Sequence, residues 1–192
     1  AAVSSGRDGR MLVEEMRSQF AFLDRIPDIS AMTSYAYWLH QWSVIEPSAG
    51  REAVAWYERA LDLDPFNPAL RTQLAEAHLL AGRPEEAKAV LDPVIGFIER
   101  HGVEFGKEHP SLWATRALAH HALGEATAAR AALADAFARS GLQLECHVNV
   151  ASHVIDPEGR AAAARRRVNL ISLPFQCSRA MLALLPDGAR PG

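Results

Sequence analysis

The segment EAVAWYERALDLDP, residues 52–65, carries the strongest structural signal of the sequence. Its apolar residues recur every three or four positions, which is the spacing of one helix face. The preceding group Pro47–Gly50 is typical of a turn, and Pro65 cannot continue a helix. The sequence therefore predicts a helix from Arg51 to Leu63.

Similar segments return along the chain. Ala53 and Ala87 are 34 residues apart, and Ala129 follows Ala87 after 42 residues. The second spacing equals the first plus eight residues. Pro93 is expected to kink or restart the helix there, and His101 to Pro110 to form a loop. An internal period of about 20–50 residues is typical of helical repeat proteins.

The segment resembles the second helix of a tetratricopeptide repeat. That family places a small residue, a large residue four positions on, a small residue three further on and a proline after five more. Ala53, Tyr57, Ala60 and Pro65 fit this pattern. Two further units carry the corresponding residues Leu74, Ala75, His78, Gly82 and Ala87, then Trp113, Ala117, Gly124 and Ala129.

The resemblance covers residues 34–140 and implies an all-α, right-handed solenoid of about three to four antiparallel helix pairs, with an extra helix at each end. We expect a single domain over residues 1–192. Its expected parts are a disordered lead-in at 1–10, an N-terminal helix at 11–26, repeats at 34–66, 67–100 and 110–140, and a degenerate repeat with a capping helix at 141–192.

Composition narrows the classes of protein. The 192 residues are 49% hydrophobic and carry a formal charge of −3, which excludes a disordered chain and argues against a general nucleic-acid binder. No apolar stretch approaches the length of about 20 residues that a membrane span requires. Two cysteines, Cys146 and Cys177, are too few for a disulfide scaffold. They either pair in an oxidising compartment or stay free.

The resemblance implies a non-catalytic scaffold or adaptor that binds a protein or peptide on its concave face, without a cofactor. Projecting the family's concave positions onto this chain gives the candidate residues Tyr35, Trp38, Trp42, Glu46, Thr72, Glu76, Leu79, Leu118 and His121. Tyrosine and tryptophan are common anchors of interfaces. The alternative for Trp38 and Trp42 is core packing against the helix over residues 11–23.

The histidine, cysteine and arginine clusters of the sequence give weaker evidence for a functional site. Histidines at equivalent repeat positions, His78 and His120, fit core or groove packing better than a metal site, so no metal is predicted. Cys146, His147 and His153 lack a fourth ligand. The one basic cluster is a solvated helix face or a patch for an acidic partner, and it comprises Arg160, Arg165, Arg166 and Arg167.

The rival hypothesis makes this chain the appended repeat domain of a larger bacterial enzyme or of an envelope protein that assembles glycans. Its motivation is that the first methionine is Met11, which we expect of a fragment or processed product. In that case the domain associates with a membrane-anchored parent or partner. The localisation stays open between the cytoplasm and, for an envelope protein, the periplasm.

Overall fold

The computed structural model describes residues 6–101, 109–140, 146–158 and 178–185, and every described element is helical. The helices are α1 (Gly6–Phe20), α2 (Ile29–Trp42), α3 (Pro47–Leu63), α4 (Pro68–Leu80), α5 (Pro84–His101), α6 (Pro110–Ala122), α7 (Ala126–Arg139), α8 (Cys146–Ile155) and α9 (Arg179–Ala183). A short 3-10 helix, Ala21–Asp24, follows α1. The prediction of an all-α chain is confirmed for these residues. None of these helices is long and apolar enough to cross a membrane.

The helices pack as consecutive hairpins. The most extensive contacts join α2 to α3, α4 to α5 and α6 to α7, and neighbouring pairs meet through α3 with α4 and α5 with α6. Helix α8 lies against α6 and α7. Short connections between packed helices are typical of antiparallel pairs. The pairs therefore follow the order that the repeat pattern predicted.

Two glycines reverse the chain inside the hairpins. Gly82 and Gly124 have φ of +70° and +76°, a region that side chains with a Cβ rarely adopt. After α4, Gly82 N donates to Leu79 O at 3.0 Å and Arg83 N donates to His78 O at 2.9 Å. This bond pair is a Schellman motif, and it recurs at Gly124. Each glycine therefore ends the first helix of its pair and lets the chain turn into the second.

Small residues permit the close approach of the helices. The alanines at equivalent repeat positions are completely buried, namely Ala53, Ala75, Ala87, Ala117 and Ala129. Larger side chains such as Tyr57 and Leu91 fill the space between them. Two core clusters result, one around α1 to α4 and one around α4 to α9, and α4 contributes to both.

One prediction about prolines was wrong, and a second was wrong in one of its two alternatives. Pro47–Gly50 forms the first turn of α3, because a proline at the first helical position needs no N–H partner. Gly50 lies there against α2, where an added Cβ would meet Ser43 Cβ at 3.0 Å. Pro93 does not restart a helix, since α5 continues through it to His101. Part of the eight extra residues between Ala87 and Ala129 therefore lengthens α5.

The two ends of the chain also differ from expectation. Helix α1 begins at Gly6, five residues before the predicted start. At the other end, α9 contacts α2, α4 and α8. The expected cap over the open end of the stack would not touch α2, because α2 belongs to the first pair. This position brings α9 to the face described next.

Candidate functional site

One face of the stack is formed by the first helices of the pairs, α2, α4 and α6, together with α8. We call this face the inner groove. It contains a half-open cavity of about 240 Å³. Its walls comprise Tyr37, His40, Ala69, Thr72, Gln73, Glu76, Ser111, Cys146, His147, Ser178 and Met181. Five helices, namely α2, α4, α6, α8 and α9, therefore contribute side chains to one cavity.

A carboxylate lies at the centre of the inner groove. Glu76 on α4 is only 4% exposed, and its Oε1 is 2.5 Å from Nε2 of His147 on α8. The contact is an ion pair when the imidazole is protonated. A buried carboxylate is costly unless it is paired or hydrogen-bonded. The contact therefore links α8 to the second repeat across the cavity.

A second histidine, His40 on α2, lines the same cavity and is fully buried. His40 is 1% exposed, and neither of its ring nitrogens has a hydrogen-bond partner among the described residues. Burial lowers the pKa of His40, an effect that the negative charge of Glu76 opposes. A neutral imidazole offers one N–H donor and one acceptor nitrogen. His40 therefore brings unused hydrogen-bonding capacity to the groove.

The residues around His40 share this polar character. Tyr57 meets the His40 ring edge-to-face at 6.0 Å between centroids, and its hydroxyl has no partner in the described part of the chain. Burial raises the pKa of Tyr57, and Glu76 raises it further. Gln73 Oε1 is likewise without a described partner, whereas the Thr72 hydroxyl donates to Pro68 O at 2.9 Å. Around His40, the buried polar atoms thus outnumber the hydrogen-bond partners that the described residues offer them.

The predicted aromatic anchors occupy three different environments. Tyr35 is buried, stacks on Phe20 and donates its hydroxyl to Glu52 at 2.7 Å, so it fastens α1 rather than lining the cavity. Trp42 is half-buried against the first core cluster. Trp38 is 52% exposed, and its ring is 6.3 Å from that of Tyr37. It therefore lies at the margin of the groove.

Among the other candidate residues, only Thr72 and Glu76 line the cavity. Leu118 is buried in the second core, Leu79 packs against it, and His121 is exposed. Glu46 accepts a hydrogen bond from Ser48 at 2.8 Å. The proposed basic patch lies outside the described residues. It comprises Arg160, Arg165, Arg166 and Arg167.

The candidate residues did not include His40 or His147, which both line the cavity. The sequence places His147 in a cluster with Cys146 and His153, and it gives no signal for His40. No group of three or more potential ligands within the described ranges is arranged to hold a metal ion. Cys146 is disulfide-bonded, so it offers no thiolate. The only other cysteine of the chain, Cys177, lies outside the described residues.

A family model of the tetratricopeptide repeat matches residues 47–96, which span α3, α4 and most of α5. No curated protein and no solved structure matches the chain. The resemblance inferred from Ala53, Tyr57, Ala60 and Pro65 is thus confirmed over this segment. Such repeats are typically protein–protein interaction modules.

Proposed function

We propose that this domain is a scaffold or adaptor that binds a segment of another protein in the inner groove and catalyses no reaction itself. The observation that carries the proposal is the 240 Å³ cavity, in which buried and half-buried polar side chains from α2, α4 and α8 converge. A repeat module presents such a surface as a rigid stack. Binding then depends on complementarity between this surface and the partner.

The polar atoms of the groove favour a peptide as the ligand. A buried polar atom without a partner costs about 1–3 kcal/mol. His40 and Gln73 both carry such atoms, and Glu76 adds a negative charge. Backbone and side-chain groups of a bound segment would satisfy them. Trp38 supplies an exposed aromatic surface at the margin, as interface hot spots do.

Site-specific photocrosslinking tests this proposal. A benzophenone amino acid replaces Gln73 in the inner groove, and in a matched variant it replaces Ala134, an exposed residue on α7. Both variants are irradiated in cell extract, and adducts are identified by mass spectrometry. We expect a recurrent protein adduct from position 73 and none of the same identity from position 134. The same adducts from both positions, or adducts from position 134 alone, would contradict binding in the groove.

A further inference from the structure

The inner groove already holds a helix of this chain. Helix α9 contacts α2, α4 and α8, which come from three different parts of the stack. At its start, Ser178 caps the helix by accepting from Met181 N at 3.3 Å. Ala180 N donates to the side chain of Gln41 on α2 at 3.1 Å. One of the free N–H groups at the helix start is thus satisfied by the groove.

Two apolar side chains anchor α9. Met181 and Leu185 are four positions apart and are 2% and 1% exposed, and both belong to the second core cluster. Met181 lies within α9, and Leu185 lies two residues beyond its last residue, Ala183. Burial of apolar side chains of a short helical segment against neighbouring helices is how an amphipathic helix binds in a groove. The surface of α2, α4 and α8 that α9 contacts therefore has the chemistry of a helix-binding site.

Helix α9 fills only part of the available space. The 240 Å³ cavity lies beside Ser178 and Met181, and an open cleft of about 620 Å³ lies beside Ala183. The cleft is bounded by the end of α2, the start of α3 and the end of α4. A helix of five residues is also unstable on its own in water. A longer helix could contact both spaces that α9 leaves open.

We propose that α9 is an exchangeable occupant of the inner groove, and that the partner is an amphipathic helix that takes its place through two apolar residues four positions apart. This inference rests on the proposed function and names the class of partner. While α9 is docked, the groove is closed to the partner. The apparent association constant of the partner equals its intrinsic value multiplied by the fraction of molecules in which the groove is open.

The test uses the full chain and a fluorescent synthetic peptide of residues 178–188, SRAMLALLPDG. Fluorescence anisotropy measures its binding to the wild type and to the double variant Met181→Asp, Leu185→Asp, in which the internal helix loses both anchors. We expect the double variant to bind the peptide at least tenfold more tightly than the wild type. The control is the same peptide with aspartate at both anchor positions, which should bind neither protein.

Equal binding by both proteins, or no binding by a double variant that keeps its helical circular dichroism, would overturn the proposal. A wild-type dimer that the double variant loses would place the α9 of a second copy in the groove and would also overturn it.

Hydrogen exchange of the wild type keeps the proposal testable if the double variant does not fold. Amides of residues 181–185 should exchange at least tenfold faster than those in the middle of α4, because α9 opens without unfolding the stack. Equal rates would make α9 a permanent part of the core. A groove adduct from position 73 together with equal exchange rates would leave the proposed function standing and remove this inference alone.

Discussion

At the scale of single residues, backbone conformation at the hairpin turns is a strict requirement. Gly82 and Gly124 both adopt positive φ, so the turns between α4 and α5 and between α6 and α7 depend on the absence of a Cβ. Gly96 differs, because it lies within α5 and an added Cβ would meet no other described atom within 4 Å. Adding a Cβ should therefore destabilise the fold at Gly82 and Gly124 and stabilise it at Gly96.

Replacing Gly82 by alanine should lower the free energy of unfolding by about 1–2 kcal/mol, the cost of forcing a Cβ into the left-handed region. Replacing Gly96 by alanine should raise it by up to about 1 kcal/mol, because alanine is the better helix former. Urea unfolding followed by circular dichroism measures both. Changes of the same sign in the two variants would contradict the assigned backbone conformations.

Burial of His40 has a consequence for pH. An unfolded histidine has a pKa of about 6.5, and burial lowers the pKa of His40 in the folded chain. Below pH 6.5 the unfolded chain therefore binds a proton that folded His40 excludes. Stability falls as the pH decreases, by up to about 1.4 kcal/mol per pH unit, until the folded imidazole is protonated as well.

The variant His40→Leu should lose less stability than the wild type between pH 7.5 and pH 5.5. Burial also lowers the pKa of His78, so part of the acid sensitivity should persist in the variant. Urea midpoints at the two pH values measure the effect. An identical pH dependence in His40→Leu and the wild type would refute it.

At the scale of elements, α1 is held to the first repeat by a polar network. Arg17 donates to Glu52 at 2.8 Å, and Tyr35 donates to the other carboxylate oxygen at 2.7 Å. Both bonds reach α3 from helices that precede it. Phe20 of α1 stacks on Tyr35 with ring centroids 4.7 Å apart. Glu52 thus joins α1, α2 and α3 through its two carboxylate oxygens.

The variant Glu52→Ala should lower the free energy of local opening of α1 by about 1–2 kcal/mol. This value is reduced because the Arg17–Glu52 pair is partly exposed. Amide hydrogen exchange across α1 measures this change. The exposed Glu58 on the same helix is the control, and Glu58→Ala should leave the exchange of α1 unaltered. Equal protection of α1 in both variants would show that the network does not hold it.

The sequence predicted α3 to α7 well because their alanines recur at the repeat period and glycine marks each turn inside a hairpin. It failed at Pro47, since a proline is compatible with a helix start, and the expected restart at Pro93 was wrong because α5 is continuous there. These outcomes depend on neighbouring helices rather than on local preference. The same holds for α9, whose contacts join residues 139 positions apart.

At the scale of the whole molecule, α4 connects the core to the groove. Its buried apolar residues belong to both core clusters, while Thr72, Gln73 and Glu76 line the cavity. The family pattern predicted Thr72 and Glu76 from their repeat positions. It could not predict His147, because that residue reaches Glu76 from a segment beyond the recognisable repeats. The groove is therefore a property of the assembled stack.

The most direct test of partner binding is to obstruct the inner groove without disturbing the core. Ala69 lines the cavity and is itself exposed, so Ala69→Trp adds bulk where a partner would lie. The matched control Ala134→Trp adds the same bulk on α7. Isothermal titration with the partner identified by crosslinking measures the affinity of both variants. A loss of at least tenfold for Ala69→Trp alone is the predicted result, and wild-type affinity of Ala69→Trp would contradict the account.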